Sequence, residues 1–271
     1  MDVGIVIPVF NQVHFTKICL VSLLSTIPSD TEVVVIDNGS SDGTADYLAK
    51  CSHIKVISNS ENRGCAAAWN QGIKAVHAER IVILNNDVIL SPDWLYGLLN
   101  FAREKGVDIA SPAFREGEYN YDIEEYSRDY VRRMRTIARI GTAQGICFMV
   151  HRHVFDRIGL FDENFRIGQF EDADFFRRAM QVGFYLGTTG SSFIHHFGSV
   201  TQNSVRREKA CGFYEKENRL YYRRKHGRSF WKRFLQKRHT ELQTLLWRTS
   251  EKVLHDHTLV EKWIDGRLRY F

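Results

Sequence analysis

The chain reads as an α/β protein built on an open, mainly parallel sheet with helices on both faces. Three observations predict this. Short β-branched apolar runs recur through the first hundred residues, stretches with helical spacing separate them, and polar residues stand where each run ends. In such sheets ligands bind outside the carboxyl ends of the strands.

Val3–Val9 is the first apolar run, and Phe15–Ser25 follows with apolar residues at helical spacing. Glu32–Asp37, around Val33-Val34-Val35-Ile36, is a buried-strand pattern. The turn Asn38-Gly39-Ser40-Ser41 leads into a helix over Asp42–Lys50, with Ser41 as its expected N-cap. Ile54–Ile57 and Ile81–Leu84 are further strands, separated by an Ala-rich helix over Cys65–Val76 that opens after Gly64. A helix after Ser91-Pro92 carries Trp94, Leu95, Leu98 and Leu99 inward, and a short strand is expected to end at Ile109. Residues 115–135 are polar and lack clean periodicity, which predicts a long loop. Ile146–Val150 reads as a strand, and a short helix follows with Val154, Phe155 and Ile158. Glu171–Val182 reads as a helix whose first turn holds three acids, as the helix dipole favours. After the short strand Ser192–Ile194, the pattern from about residue 207 is helical to the end.

With 271 residues, 44% apolar and 25% charged, the composition is that of a globular protein with a sizeable core. Nineteen glycines and four prolines exclude collagen-like and Pro-rich chains. No apolar run approaches the roughly 20 residues of a spanning helix, and the first run has no basic leader or cleavage site, so no signal peptide is expected. Cys19, Cys51, Cys65, Cys147 and Cys211 are odd in number and form no C-x-x-C pair. That disfavours a disulfide framework or zinc ribbon and predicts a reducing, cytoplasmic setting. The net charge of +5 is uneven. Residues 1–205 hold 19 basic and 24 acidic residues, a net −5, whereas residues 206–271 hold 18 and 8, a net +10. The expected division is therefore an acidic body, 1–205, and a basic helical extension, 206–271, that meets something anionic.

Several segments could carry chemistry. Asp37 enters a tight turn and could accept a hydrogen bond from the imide of a pyrimidine, or simply cap the next helix. No G-x-G-x-x-G or G-x-x-x-x-G-K-[ST] is present, which disfavours dinucleotide and P-loop sites. Asn85-Asn86-Asp87 places one carboxylate after two amides at a strand end, suited to a hard cation or to an ordinary turn. Glu171, Asp172 and Asp174 crowd a helix start, where like charges raise each other's pKa, although such acids are also common simply as helix-start charges. His195-His196-Phe197-Gly198-Ser199 follows a strand and could complete a metal shell begun by Asp87, or be structural.

In order, these segments resemble glycosyltransferase family 2, with the GT-A fold. The matching pieces are Ile5 to Asn11, Val35 to Thr44, Asn62 to Gly72, Leu84 to Asp87, Gly145 with Phe161-Asp162-Glu163, Glu171 to Asp174, and His195 to Ser199. The resemblance covers about residues 1–200. It implies a GT-A type, Rossmann-like domain and an inverting transferase that uses a UDP- or dTDP-sugar and a divalent metal, Mn2+ or Mg2+. Carried over by motif, Pro8, Val9 and Asn11 line the base and ribose pocket, and Asp37 binds the pyrimidine. Arg63 and Gly64 lie beside the nucleotide, Gly64 allowing close backbone approach. Asn86 and Asp87 hold ribose and metal, Asp172 is the general base, and His195, favoured over His196, is a metal ligand. Glu171, Asp174 and Gly145 support the site. Asn85 stands where the family's usual D-x-D has an acid, which leaves Asp87 as the main charge.

The acceptor expected from this resemblance is a glycan or lipid-linked glycan of a surface polysaccharide. A non-catalytic glycan- or nucleotide-binding module of the same fold is the alternative. Nucleic-acid binding, prompted by the basic end, is disfavoured by the acidic body and the lack of any helix-turn-helix or RNP-like motif. Basic and aromatic residues mixed at helical spacing over 219–238 match a helix lying on the inner face of a membrane, or one that packs on the body or a second subunit.

Overall fold

The computed structural model describes residues 2–198, 213–227 and 230–271. One mixed sheet forms the centre, in the order β11 (Arg267–Tyr270), β10 (Val260–Ile264), β6 (Ile109–Glu116), β8 (Cys147–His151), β4 (Arg80–Leu84), β1 (Val3–Val9), β2 (Glu32–Asp37), β3 (Lys55–Ser58), with β9 (Leu186–His196) pairing β5 (Val88–Leu90), β6 and β7 (Ala138–Ile140). Strands β1, β2, β3 and β4 run parallel, close to their expected bounds. β8 sits antiparallel between β4 and β6. The sheet is therefore mostly parallel, with helices on both faces.

Strand periodicity of two explains why both faces are covered. In β1 and β2, Ile5, Ile7, Val33 and Val35 pack one way, against Cys19, Leu20 and Leu23 of α1 (Val13–Thr26), Leu48 of α2 (Thr44–Leu48), and Trp94, Leu95 and Leu98 of α4 (Trp94–Lys105). Val6, Val34 and Ile36 pack the other way, against Trp69 and Ile73 of α3 (Cys65–Ala75), Val154 and Phe155 of α6 (Arg152–Ile158), and Phe175 and Phe176 of α7 (Glu171–Gln181).

Four expectations give way. Residues 115–135 are no loop: β6 runs from Ile109 to Glu116, and α5 (Ile123–Met134) follows. Asp122 caps α5 by accepting from Glu125 N at 2.9 Å, and Ile123, Ser127, Tyr130 and Met134 form its buried stripe. Charges on the other face, with a serine and a tyrosine inside the stripe, mask that period in the sequence. Ile109 thus opens a strand rather than ending one. The second helix begins after Gly43, not Ser41, and it is Asp42 that accepts from Thr44 N.

The chain is also not helical to its end. After α8 (Phe213–Lys225) and α9 (Phe230–His255), β10 (Val260–Ile264) pairs parallel with β6, and β11 (Arg267–Tyr270) closes a hairpin on it. This hairpin is anchored. Arg139, on β7 (Ala138–Ile140), makes two hydrogen bonds of 2.7 and 2.8 Å to Glu251, with both side chains buried, and a third to the Phe271 carbonyl. Tyr130 donates to Thr258 O at 2.8 Å, and Tyr126 to Glu261.

Candidate active site

The carboxyl ends of β1, β2 and β4 open on one side of the sheet into a cleft of about 510 Å³. Pro8 and Val9 line it from β1, Asn38 follows β2, and Asn85, Asn86 and Asp87 follow β4. Gln144 and Gly145 precede β8, Glu171 and Asp172 head α7, and His196 ends β9 (Leu186–His196). Backbone bonds from Asn38 N to Val9 O and from Asn59 N to Asp37 O, each 2.8 Å, keep the strand ends level.

Two charged walls face this cleft. At one, His196 Nε2 lies 3.4 Å from Asp87 Oδ2, and His196 Nδ1 lies 3.2 Å from Glu116 Oε2. Burial works against a charge on His196, but Asp87 and then Glu116 outweigh it and lift the imidazole to about 9. Glu116 is pulled down to about 2, first by its hydrogen bond with His196 and, despite partial burial, by Lys262 as well. At the other wall, burial raises the carboxyl pKa of Asp172, and burial together with the charge of Asp172 raises that of Glu171. Among the described residues, no cation relieves either acid.

Gly145 decides where Asp172 sits: a Cβ built on it would lie 2.0 Å from Asp172 Oδ2. Residues 166–170 form the cleft's rim, with Ile167, Gln169 and Phe170 at positive φ. Such backbone persists only when neighbours hold it. Asn218 of α8, 1% exposed, does so, donating to Arg166 O and Gly168 O at 2.9 Å and accepting from Arg166 N at 3.0 Å.

The Glycosyl transferase family 2 profile matches residues 4–159, more than half of the chain. The chain belongs to that family. It is similar to glycosyltransferase AglE of Haloferax volcanii, 27% identical over 196 residues that cover 68% of this chain and 63% of that one. It is also similar to glycosyltransferase GlyG of Streptococcus pneumoniae, 24% identical over 124 residues, 44% of this chain and 40% of that one. The chain thus spans less than two thirds of the length of these curated relatives. Among solved structures, GalNAc-T7 with UDP, GalNAc and Mn2+ superposes with a TM-score of 0.59 at 17% identity, over 72% of this chain and 44% of that one. S. aureus TarS 1–349 gives 0.58 at 17%, over 76% and 64%. The mostly parallel sheet with flanking helices is accordingly of GT-A type.

In this family 2 chain the cleft gathers Pro8, Val9, Asn86, Asp87, Gly145, Glu171 and Asp172. The remaining expected residues stand outside its lining. Asp37 accepts from Ser40 N at 3.0 Å and Asn11 from Ser41 N at 2.7 Å, so both brace the turn after β2. Arg63 N donates to Asn38 Oδ1 at 3.1 Å. Gly64, at φ 88°, does allow close approach, but what approaches is the rim: a Cβ there would lie 3.0 Å from Ile167 N. Asp174 turns away from the cleft to Arg178, Lys225 and His226.

The two adjacent histidines, of which His195 is the expected ligand, differ in what they face. Successive residues of a strand face opposite ways, and it is His196 that faces Asp87. His195 Nδ1 instead meets Tyr121 Oη at 3.0 Å, and burial, with the neighbouring His196 and Arg115, depresses its pKa to about 3. Among the described residues no group of three or more His, Cys, Asp or Glu side chains could hold a metal. The pair Asp87 and His196 nevertheless fits a divalent ion. Nε2 of His196 is buried 3.4 Å from Asp87 Oδ2, and Nδ1 is held by the Glu116 carboxylate, so the ring presents a fixed nitrogen beside a hard oxygen donor.

Sequence reasoning missed Asn38, Glu116, Asn218 and Lys262. Only Asn38, beside Asp37 at a strand end, carried a local signal. The others lie far along the chain from the motifs they support.

Proposed function

We propose that this chain transfers a glycosyl group, with inversion, from a UDP- or dTDP-sugar to a hydroxyl of a glycan or lipid-linked glycan. The observation that carries this reading is one cleft with Asp87 and His196 at one wall and, at the other, Asp172, which no cation among the described residues compensates. Asp87 and His196 would hold Mn2+ or Mg2+, which neutralises charge gathering on the leaving diphosphate. Pro8, Val9 and Asn38 would flank the nucleoside. Asp37, Asn11, Arg63 and Gly64 would shape that end from behind it, and Asn86 would reach the ribose. Asp172 takes the proton of the attacking acceptor hydroxyl, and its raised pKa brings it closer to the operating pH of a general base. Attack from the face opposite the leaving group gives inversion in one displacement. Gly145 leaves the space that Asp172 occupies.

A thermal-shift screen of UDP-, dTDP- and GDP-sugars with Mn2+ tests the reading, because a ligand that binds only the folded state raises Tm. Stabilisation by a UDP- or dTDP-sugar together with donor turnover supports it. Stabilisation without turnover favours the non-catalytic module, and no stabilisation by any donor overturns both.

We further propose a peripheral membrane contact through α9, where a lipid-linked acceptor would be presented. Leu242, Leu245, Leu246 and Val253 are exposed there, beside Lys237, Arg238 and Arg248. Part of the basic-aromatic stretch of residues 219–238 lies outside the described residues. Among the described residues no helix is long and apolar enough to cross a membrane. Co-sedimentation with anionic liposomes at low salt, lost at high salt, is the expected result. Absence of binding at any salt, with a concentration-dependent dimer instead, would assign the face to self-association.

A further inference from the structure

Three strands align a row of side chains across the sheet beside the cleft. In the sheet register, Lys262 of β10 pairs with Glu116 of β6, and Glu116 pairs with His196 of β9. His196 in turn pairs with Val88 of β5 (Val88–Leu90), the residue after Asp87. The side chains make contact along the same row. Lys262 Nζ donates to Glu116 Oε1 at 2.8 Å, Glu116 Oε2 lies 3.2 Å from His196 Nδ1, and His196 Nε2 lies 3.4 Å from Asp87 Oδ2.

We infer that Glu116 and Lys262 are positioning residues for the divalent ion, so that strand β10 supports an ion site whose other residues are Asp87, Glu116 and His196. A histidine that binds a metal needs its other ring nitrogen committed as a donor, which fixes the tautomer and the ring plane. With Nδ1 donating to Glu116, the ring nitrogen left for an ion is Nε2, on the side of Asp87, where a bound ion would take the place of the proton. A carboxylate with one oxygen engaged can still rotate. Lys262 takes the other oxygen and stops that rotation. The distances decide that Lys262 acts through Glu116, since it has no contact with His196 of its own. Sequence separation hides the arrangement, because Lys262 lies 146 positions beyond Glu116. The hairpin's anchorage, Arg139 to Glu251 and the Phe271 carbonyl, is what holds Lys262 at this register.

This inference rests on the proposed metal-dependent transfer, and the test separates the two. Mn2+ binding to the full chain is followed by the loss of the free-ion EPR signal, with UDP present and absent, alongside Tm. The variants are Glu116→Gln, Lys262→Met, Lys262→Arg and His196→Ala. Loss of a carboxylate partner to a metal-binding histidine typically weakens the metal by about 10–100-fold. Glu116→Gln is expected to show that loss, Lys262→Met a smaller one of several-fold, and Lys262→Arg near wild-type affinity. Lys262 is one third exposed, and methionine keeps its apolar stem, so that variant is expected to keep the wild-type Tm. If wild type binds Mn2+, His196→Ala abolishes binding, and Lys262→Met and Glu116→Gln bind within twofold of wild type, the positioning role is overturned while the metal reading stands. If wild type itself binds no Mn2+ with UDP, both are overturned.

Discussion

Glu171 and Asp172 at the head of α7 share one acidic turn with Asp174, yet their surroundings are opposite. The first two face the cleft with raised pKa values, and no cation among the described residues compensates them. Asp174, fully buried where Asp172 is only half-buried, meets Arg178 Nε at 2.8 Å, Lys225 Nζ at 2.9 Å and His226 Nε2 at 2.7 Å. Burial opposes its charge too, but hydrogen bonds from Lys225, Arg178 and His226 hold its pKa below the ordinary carboxylate value. Within four positions the helix carries both the proposed base and a counter-ion that fastens α8. The difference teaches that an acidic cluster is not one functional unit, and that the elements packed on each face divide it.

The sharpest test of this division is Asp172→Asn. Transfer is expected to fall about 10²–10⁴-fold, the usual scale for losing a general base, with donor affinity by calorimetry unchanged. Near wild-type turnover would move the base elsewhere and dissolve the contrast.

Asp174→Asn is expected to act on stability instead. Removing one partner from a buried ionic cluster costs about 3–5 kcal/mol, read as a drop in Tm, with turnover per folded molecule retained. The acid response gives the sign. The depressed pKa of Asp174 contributes stability that is present above its unfolded value and lost as pH falls through the folded one. The gap between wild type and Asp174→Asn should therefore narrow in melts below about pH 4. Glu171, with a raised pKa, runs the other way: its contribution is complete below the ordinary carboxylate value and lost as pH rises. Glu171→Gln should melt above wild type at neutral pH, with the gain vanishing in acid.

Gly145→Ala sharpens the comparison from outside the helix. The new methyl must displace the Asp172 carboxylate, and misplacement of a reacting group by about 1 Å can cost roughly 10²-fold. A fall in kcat of that order with an unchanged Tm is expected, whereas normal kcat would mean that Asp172 has other working positions.

Reading the molecule from its residues succeeded where the determinants are local. The four parallel strands and helix α3 follow from apolar runs with period two or helical spacing, and their observed bounds lie within a residue or so of the expected ones. Helix α5 was hidden because a serine and a tyrosine occupy its buried stripe, Ser127 and Tyr130, among charged neighbours. Of the site, Pro8, Val9, Asn86, Asp87, Gly145, Glu171 and Asp172 were legible as motif positions, and they do meet in one cleft.

What the sequence determined by itself was therefore the parallel core, the family, and the polar positions at strand ends that line the cleft, because short-range patterns of burial and turn chemistry encode them. Only the tertiary structure decided which of two adjacent histidines faces Asp87, since a strand sends neighbours to opposite faces and the choice of face comes from pairing partners. It alone sent Asp174 to α8 and Asp172 to the cleft. And it alone brought Lys262 beside Glu116, because parallel pairing joins segments whose separation along the chain leaves no local trace.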